Sequence, residues 1–233
     1  MFGFWFDPYY LLFMAPAFLL MLAAQWYVSS AFRKWSQRPL HAGLSGAEAA
    51  ERLIRYGGLY GVRIEQVGGM LTDHYDPRAK VLRLSPKVYQ GRSVASVAVA
   101  AHELGHALQD KEGYLPLKLR SAMVPAVNIG SYLGWILIFL GLLLNFLQLA
   151  VVGLIVFSAG AAFALVTLPV EFNASARAKR LLRETGIVQT EEEARGVNHV
   201  LNAAALTYVA ALVTALLQVA YYAMLIFGGR RRR

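Results

Sequence analysis

Residues 102–106 spell His-Glu-Leu-Gly-His. On a helix of 3.6 residues per turn, positions i and i+4 stand only about 40° apart. His102 and His106 can therefore reach one ion, each imidazole at about 2.0–2.1 Å. Glu103 neighbours the first histidine and can act as general base toward a water on that ion, whose pKa the metal lowers to about 7. The plainer alternative is a helix that merely contains two histidines. Val97 to Ala101 before the motif and Ala107-Leu108 after it make the helix a buried one. Burying His, Glu and His together is costly unless something pairs them, and a metal does. The chain has no cysteine, so nitrogen and oxygen donors must hold that metal. Zinc suits such a donor set.

A catalytic zinc site takes three protein ligands and keeps one position open. The metzincin extension would need glycine and histidine where Gln109 and Glu112 stand, so it does not apply. Asp110 lies about 12 Å along the helix axis from His102 and cannot share the ion with both histidines. Glu112 points to another face. His74, Glu171, Glu184 and His199 remain, and the choice among them depends on the path of the chain.

That path is dominated by apolar spans. Hydrophobic types make up 57% of the 233 residues and charged types only 16%. A soluble domain usually sits near 45–50% apolar and about a quarter charged, so neither a soluble globule nor a disordered chain fits. The excess is clustered. No residue is charged in 9–32, 121–170 or 201–229. About 20 apolar residues cross a bilayer as a helix, so the outer runs hold one span each and the middle run two. The polar pair Asn145 and Gln148 puts the turn between those two near 145–150. The first run has no basic residue before it and begins at Asp7-Pro8, which marks an uncleaved anchor rather than a signal peptide. The formal charge of +9 is concentrated beside the spans, at Arg33, Lys34, Arg38, Lys111, Lys118, Arg120, Arg177, Lys179, Arg180 and Arg183. The positive-inside rule then puts 33–120 and 171–200 in the cytoplasm. Arg230 to Arg233 run against that rule if the last run crosses. It could instead be a short span after a buried soluble helix.

Two crossings separate Glu171 from His106, which returns Glu171 to the same side. It follows Pro169, and the expectation is that it opens a helix carrying Ala174, Ala178, Leu181 and Leu182. Asn173 and Ser175 could then bond groups near the metal. The alternative role for Glu171 is an acidic residue favoured at a helix N-terminus. Among the four candidates Glu171 is the expected third ligand.

The polar part 33–120 has its own order. Ser45 to Glu48 fits a capping box, followed by a helix to Tyr56 that Gly57-Gly58 stops. Residues 61–67 alternate as a strand does, Gly68-Gly69 suits a hairpin turn, and 70–75 could be its second strand. Asp76-Pro77 marks a turn and 80–85 alternates again, a possible edge strand for an extended substrate. Ser93 to Lys111 is the long motif helix. His74 could stabilise an oxyanion or bind substrate, or could simply sit in a turn with Asp73, Tyr75 and Asp76; Tyr208 is a second candidate oxyanion donor. His199 suits packing or the surface, and Glu191 to Glu193 a solvated helix start after Thr190.

With these residues in view, the chain resembles the YugP-like neutral zinc metallopeptidases, bacterial membrane proteins related to HtpX-type gluzincins. The resemblance rests on H-E-L-G-H at 102–106, the membrane hairpin and P-V-E-F-N-A-S-A-R-A from Pro169. L-T-D-H-Y-D-P-R-A-K-V-L-R-L-S at 71–85 and A-A-A-L-T-Y-V-A at 203–210 extend it over nearly the whole chain. It implies His102, His106 and Glu171 as zinc ligands and Glu103 as catalytic acid and base. Related gluzincins often carry Asp four residues after the ligand Glu; here that position is Ser175.

The expected fold is α+β: a multi-span helical membrane protein with a small zincin-like catalytic domain, a short sheet packed on the active-site helix. The expected parts are an anchor helix at 1–32, the catalytic region at 33–120 and the membrane hairpin at 121–170. A third-ligand helix and loop at 171–200 and a last membrane helix with its basic tail at 201–233 complete the chain. The expected activity is zinc-dependent peptide hydrolysis, with peptide or membrane-protein substrates and the lipid bilayer as partners. The expected place is the bacterial plasma membrane, with the site on its cytoplasmic face. No aromatic-interleaved basic groove suggests nucleic acid. The rival readings are a non-catalytic membrane adaptor with a structural metal, and a bis-histidine haem or ion-transport protein. The spans contain no acidic relay for the latter.

Overall fold

A computed structural model describes residues 8–69 and 72–228. It is mostly helical, with one small sheet, and the chain divides into two compact units.

The first unit takes residues 1–24, 119–168 and 207–233. Its described residues come from four long helices: α1 (Pro8–Ser36), α5 (Leu115–Leu143), α6 (Leu147–Glu184) and α7 (Glu191–Gly228). All four are long and apolar enough to cross a membrane. Large apolar side chains such as Leu12, Phe18, Ile129 and Ile155 stand exposed on them, as lipid-facing residues do. Glycine lets α5 and α6 approach closely. A Cβ on Gly134 would come within 2.6 Å of the Phe157 nitrogen, and one on Gly153 within 2.6 Å of the Ile138 nitrogen. Small residues at such a contact replace the hydrophobic drive that lipid removes. The connection between α5 and α6 occupies only 144–146, at the early edge of the expected turn, where Asn145 takes φ +54°. The Phe146 N–H bonds the Gly141 carbonyl at 2.8 Å and closes the end of α5.

The second unit takes residues 25–118 and 169–206. It holds α2 (Gly46–Tyr56), β1 (Arg63–Gln66), β2 (His74–Asp76), β3 (Val81–Leu84), α3 (Pro86–Tyr89) and α4 (Val94–Lys111). Parts of α1, α6 and α7 complete it. The capping box forms as expected, with the Ser45 hydroxyl accepting from the Glu48 N–H and the Glu48 carboxylate from the Ser45 N–H. α4 packs on α2, α3, β2 and β3. Its core partners include Leu53, Leu82, Leu84, Leu182, Ile187 and Leu201, all buried.

Five expectations are corrected here. The expected hairpin across Gly68-Gly69 does not form between the described strands, whose order is β1-β3-β2; residues 70 and 71 of its second arm lie outside the described residues. β1 runs parallel to β3, and β2 antiparallel to it. β3 takes the centre because Val81, Leu82 and Leu84 are apolar enough to be fully buried. Residues 80–85 are therefore not a free edge, and their backbone is already paired on both sides. Glu171 does not open a helix. α6 continues through Pro169 to Glu184 in one piece, so the helix-N-terminus role for Glu171 falls away. The last apolar run is likewise not a short span after a separate helix, because α7 is continuous over 38 residues. Its start is not fully solvated either. Glu193 is buried and accepts from the His41, Gln189 and Thr190 N–H groups. The Arg230 to Arg233 tail lies outside the described residues.

Candidate metal centre

Ser93 caps α4, its hydroxyl accepting from the Ser96 N–H at 3.2 Å. Nine residues further, one helical turn places His102 and His106 with ring centroids 4.9 Å apart. α6 delivers Glu171 to both. Its Oε2 lies 3.2 Å from Nε2 of His102 and 3.6 Å from Nε2 of His106. Glu171 is only 2% exposed, and the two imidazole side chains 13% and 12%. Donor atoms from the three residues all lie within 4.8 Å of one another.

The group fits zinc. Four donors at about 2.0–2.2 Å in a tetrahedron stand about 3.3–3.5 Å apart, close to the two Nε2–Oε2 distances. The tautomer of His106 also suits a metal. Gln109 is fully buried, and its Nε2 donates to the Val170 carbonyl at 2.8 Å and to Asn173 Oδ1 at 3.0 Å. Its Oε1 must then accept from Nδ1–H of His106, at 3.0 Å. That leaves the Nε2 lone pair facing Glu171. Nδ1 of His102 lies 3.2 Å from Ser175 Oγ, which holds that ring with Nε2 toward Glu171. Asn173 also accepts from Arg177 Nε at 2.7 Å, and Arg177 pairs with Glu112 at 2.7 Å. The expected neighbours Asn173 and Ser175 are thus both at the site.

Glu103 stands beside this group and outside it. Its Oε2 accepts from the Tyr75 N–H of β2 at 3.2 Å. Burial pushes its carboxyl above the usual range, against the pull of the His102 and His106 charges. Burial works against a charged His106, but the hydrogen bond to Glu171 and the charges of Glu103 and Glu171 outweigh it and raise that imidazole.

The remaining candidates lie elsewhere. Side chains alternate along β2. Tyr75 points to α4 and donates its OH to Asp110 at 2.8 Å. His74 points the other way and is exposed, with Nδ1 at 2.8 Å from the Thr72 carbonyl and Nε2 at 3.5 Å from Arg83. Asp76 accepts from the Arg78 and Ala79 N–H groups, the turn role expected of it, and its ion pair with Arg83 is 2.8 Å long. The Arg83 hydrogen bond, helped by those N–H groups, holds Asp76 down to about 2. His199 packs against Tyr27 and accepts from Trp35 Nε1–H at 3.0 Å. Glu184 accepts from the Tyr56 hydroxyl at 3.3 Å. Tyr208 lies on α7 within the first unit.

Three residues at the site escaped the sequence. Gln109 had a signal, a polar residue one turn after His106 on a buried helix. Gly105 had a weaker one. A Cβ there would meet the Ala174 carbonyl oxygen at 2.5 Å, so glycine is what lets α6 bring Glu171 against α4. The Tyr75 N–H had none.

An H-E-x-x-H helix joined by a glutamate from a second helix, in a chain with four helices long and apolar enough to span a bilayer, is the arrangement of a membrane zinc metallopeptidase. The comparisons with known proteins agree. Residues 10–227 match the model of a family described as "putative neutral zinc metallopeptidase", and the chain belongs to that family. It is also 48% identical over 207 residues to a Bacillus subtilis protein named "putative membrane protease YugP", covering 89% of this chain and 92% of that one. No solved structure matches the chain. Its cofactor is zinc, for which the His102, His106 and Glu171 group is suited.

Proposed function

We propose that the protein is a membrane endopeptidase in which His102, His106 and Glu171 hold zinc and Glu103 moves the proton. The observation that carries this reading is the convergence of donor atoms from His102, His106 and Glu171 beside a second buried carboxylate, Glu103, that is not part of their group. Bound there, zinc supplies Lewis acidity and lowers the pKa of a coordinated water to about 7. Gln109 and Ser175 hold the two imidazoles with Nε2 toward the metal. Glu103 takes a proton from the attacking water on its carboxylate and delivers it to the leaving amine. Tyr75 donates its N–H to Glu103 and fixes the carboxylate beside the edge strand β2. His74 leaves β2 on the face turned away from α4, so the oxyanion role is not assigned to it.

The site belongs to the cytoplasmic side in this reading, on the strength of the basic residues flanking the spans. Glu171 directly follows the second charge-free run, 121–170. That proximity supports membrane-anchored or misfolded membrane proteins as substrates. The test is zinc content together with cleavage of one unstructured peptide, supplied free or tethered to a lipid anchor. Wild-type protein should bind zinc and cleave the tethered form faster. His106→Ala and Glu171→Ala should lose most of the zinc and the cleavage together. Full cleavage by Glu171→Ala would remove it from the ligand set, and equal rates on both peptides would remove the membrane preference. The non-catalytic adaptor reading gains nothing from a buried carboxylate left outside the ligand group.

A further inference from the structure

A second cavity lies away from the metal group. It encloses about 1000 Å³ between the C-terminal end of α1 and the α3–α4 elbow, within the second unit. None of His102, Glu103, His106 or Glu171 lines it. Its lining includes three cations, Arg33, Lys87 and Arg92, and no acid. Arg92 is committed. It pairs with both carboxylate oxygens of Glu48 at 2.9 Å and bonds the Gly43 carbonyl. Among the described residues, neither Arg33 nor Lys87 has a carboxylate within salt-bridge reach. Two uncompensated cations therefore face one concave space, backed by a third and by the first turn of α4 at Ser93 and Ser96.

The rest of the lining says what kind of anion fits. Phe32, Pro39 and Pro86 give apolar contact, while Ser29, Ser36 and Gln37 give polar groups. The volume is at the upper end for small-molecule sites and far exceeds a bare phosphate ion. Ser29 and Phe32 belong to the charge-free run of α1, and Arg33 is the first charge after it. The cavity thus begins where α1 leaves its membrane-compatible stretch, at the level of lipid phosphates. We propose that this cavity binds a phosphate-ester anion between Arg33 and Lys87, by the same contacts whether the ester is a phospholipid headgroup or a soluble phosphate.

The test uses the full chain, zinc-loaded, in a neutral detergent. Native mass spectrometry titrates phosphatidylglycerol, phosphatidylcholine, glycerol phosphate and inorganic phosphate. Saturable binding of phosphatidylglycerol ahead of the soluble anions would assign the lipid as source, and the reverse order would assign a soluble ester. In either case Arg33→Gln with Lys87→Gln should weaken binding about thirtyfold, for two cations beside an anion. The charge-matched pair Lys34→Gln with Arg38→Gln, outside the lining, should leave it within about twofold. Ser36→Trp keeps every charge and fills the space, and it should also abolish binding. Zinc content reports that each variant is folded. Saturable binding of neither anion, equal loss in both charge pairs, or full binding by Ser36→Trp would overturn the site.

Discussion

Gln109 shows how one buried amide can fix a metal site. Both of its amide hydrogens have acceptors, so its oxygen must receive the His106 proton, and the ring nitrogen needed for zinc is left bare. A leucine there would keep the volume and remove the acceptor. Gln109→Leu should weaken zinc binding about 10- to 100-fold, the usual effect of losing such a partner. It also removes the bonds to the Val170 carbonyl and Asn173, although Asn173 keeps its bond from Arg177. Zinc affinity measured by competition with a chelator checks this, and an unchanged affinity would show that the ring holds its orientation without the amide. His102 is held more lightly, by the single hydroxyl of Ser175. The hydroxyl sets the ring without adding a second negative charge beside Glu171.

At the scale of elements, the site depends on how closely two helices cross. Gly105 of α4 meets the backbone of Ala174 in α6, and a methyl group would fall 2.5 Å from the carbonyl oxygen. Backbone cannot swing aside as a side chain can. Gly105→Ala should cost about 1–3 kcal/mol through overpacking and should also lower zinc affinity, because it pushes Glu171 away from the histidines. Thermal unfolding in detergent with and without zinc separates the two effects; a variant as stable and as zinc-avid as wild type would contradict the close crossing. The sequence made the motif helix, its N-cap and the Glu171 strand of the argument legible because each is local: an i, i+4 spacing, a serine before an apolar run, a count of crossings. It did not reveal the pairing of β1 with β3. That pairing depends on which strand is buried, and Leu82 and Leu84 are buried by α4, an element further along the chain. Pro169 suggested a helix start, yet α6 passes through it, because a proline inside a long helix removes one hydrogen bond without ending the element.

At the scale of the whole chain, the apolar excess has resolved into four helices able to cross a bilayer. α6 and α7, each 38 residues, are about 57 Å long at 1.5 Å per residue, against a hydrocarbon core of about 30 Å. Each can therefore span and still supply a turn or more to the catalytic unit, which is how Glu171 shares a helix with the membrane hairpin. The sidedness can be measured directly, since the chain has no cysteine of its own. Gln148→Cys beside the α5–α6 connection should react with a membrane-impermeant maleimide from outside intact cells. Glu191→Cys at the start of α7 should react only after the cells are opened. The reverse pattern would move the site to the outer face. Arg233→Cys in the same assay decides the side of the basic tail, which four crossings put outside.

The central claim is that Glu103 does chemistry while His102, His106 and Glu171 hold the metal. Glu103→Gln tests it most directly, because the amide keeps the shape of the side chain and cannot take a proton. Zinc content and cleavage of an unstructured peptide are measured on the same preparation. The expected result is zinc at the wild-type ratio with cleavage lower by at least about two to four orders of magnitude, the usual worth of a positioned acid–base group. Cleavage at the wild-type rate by the zinc-loaded variant would contradict it.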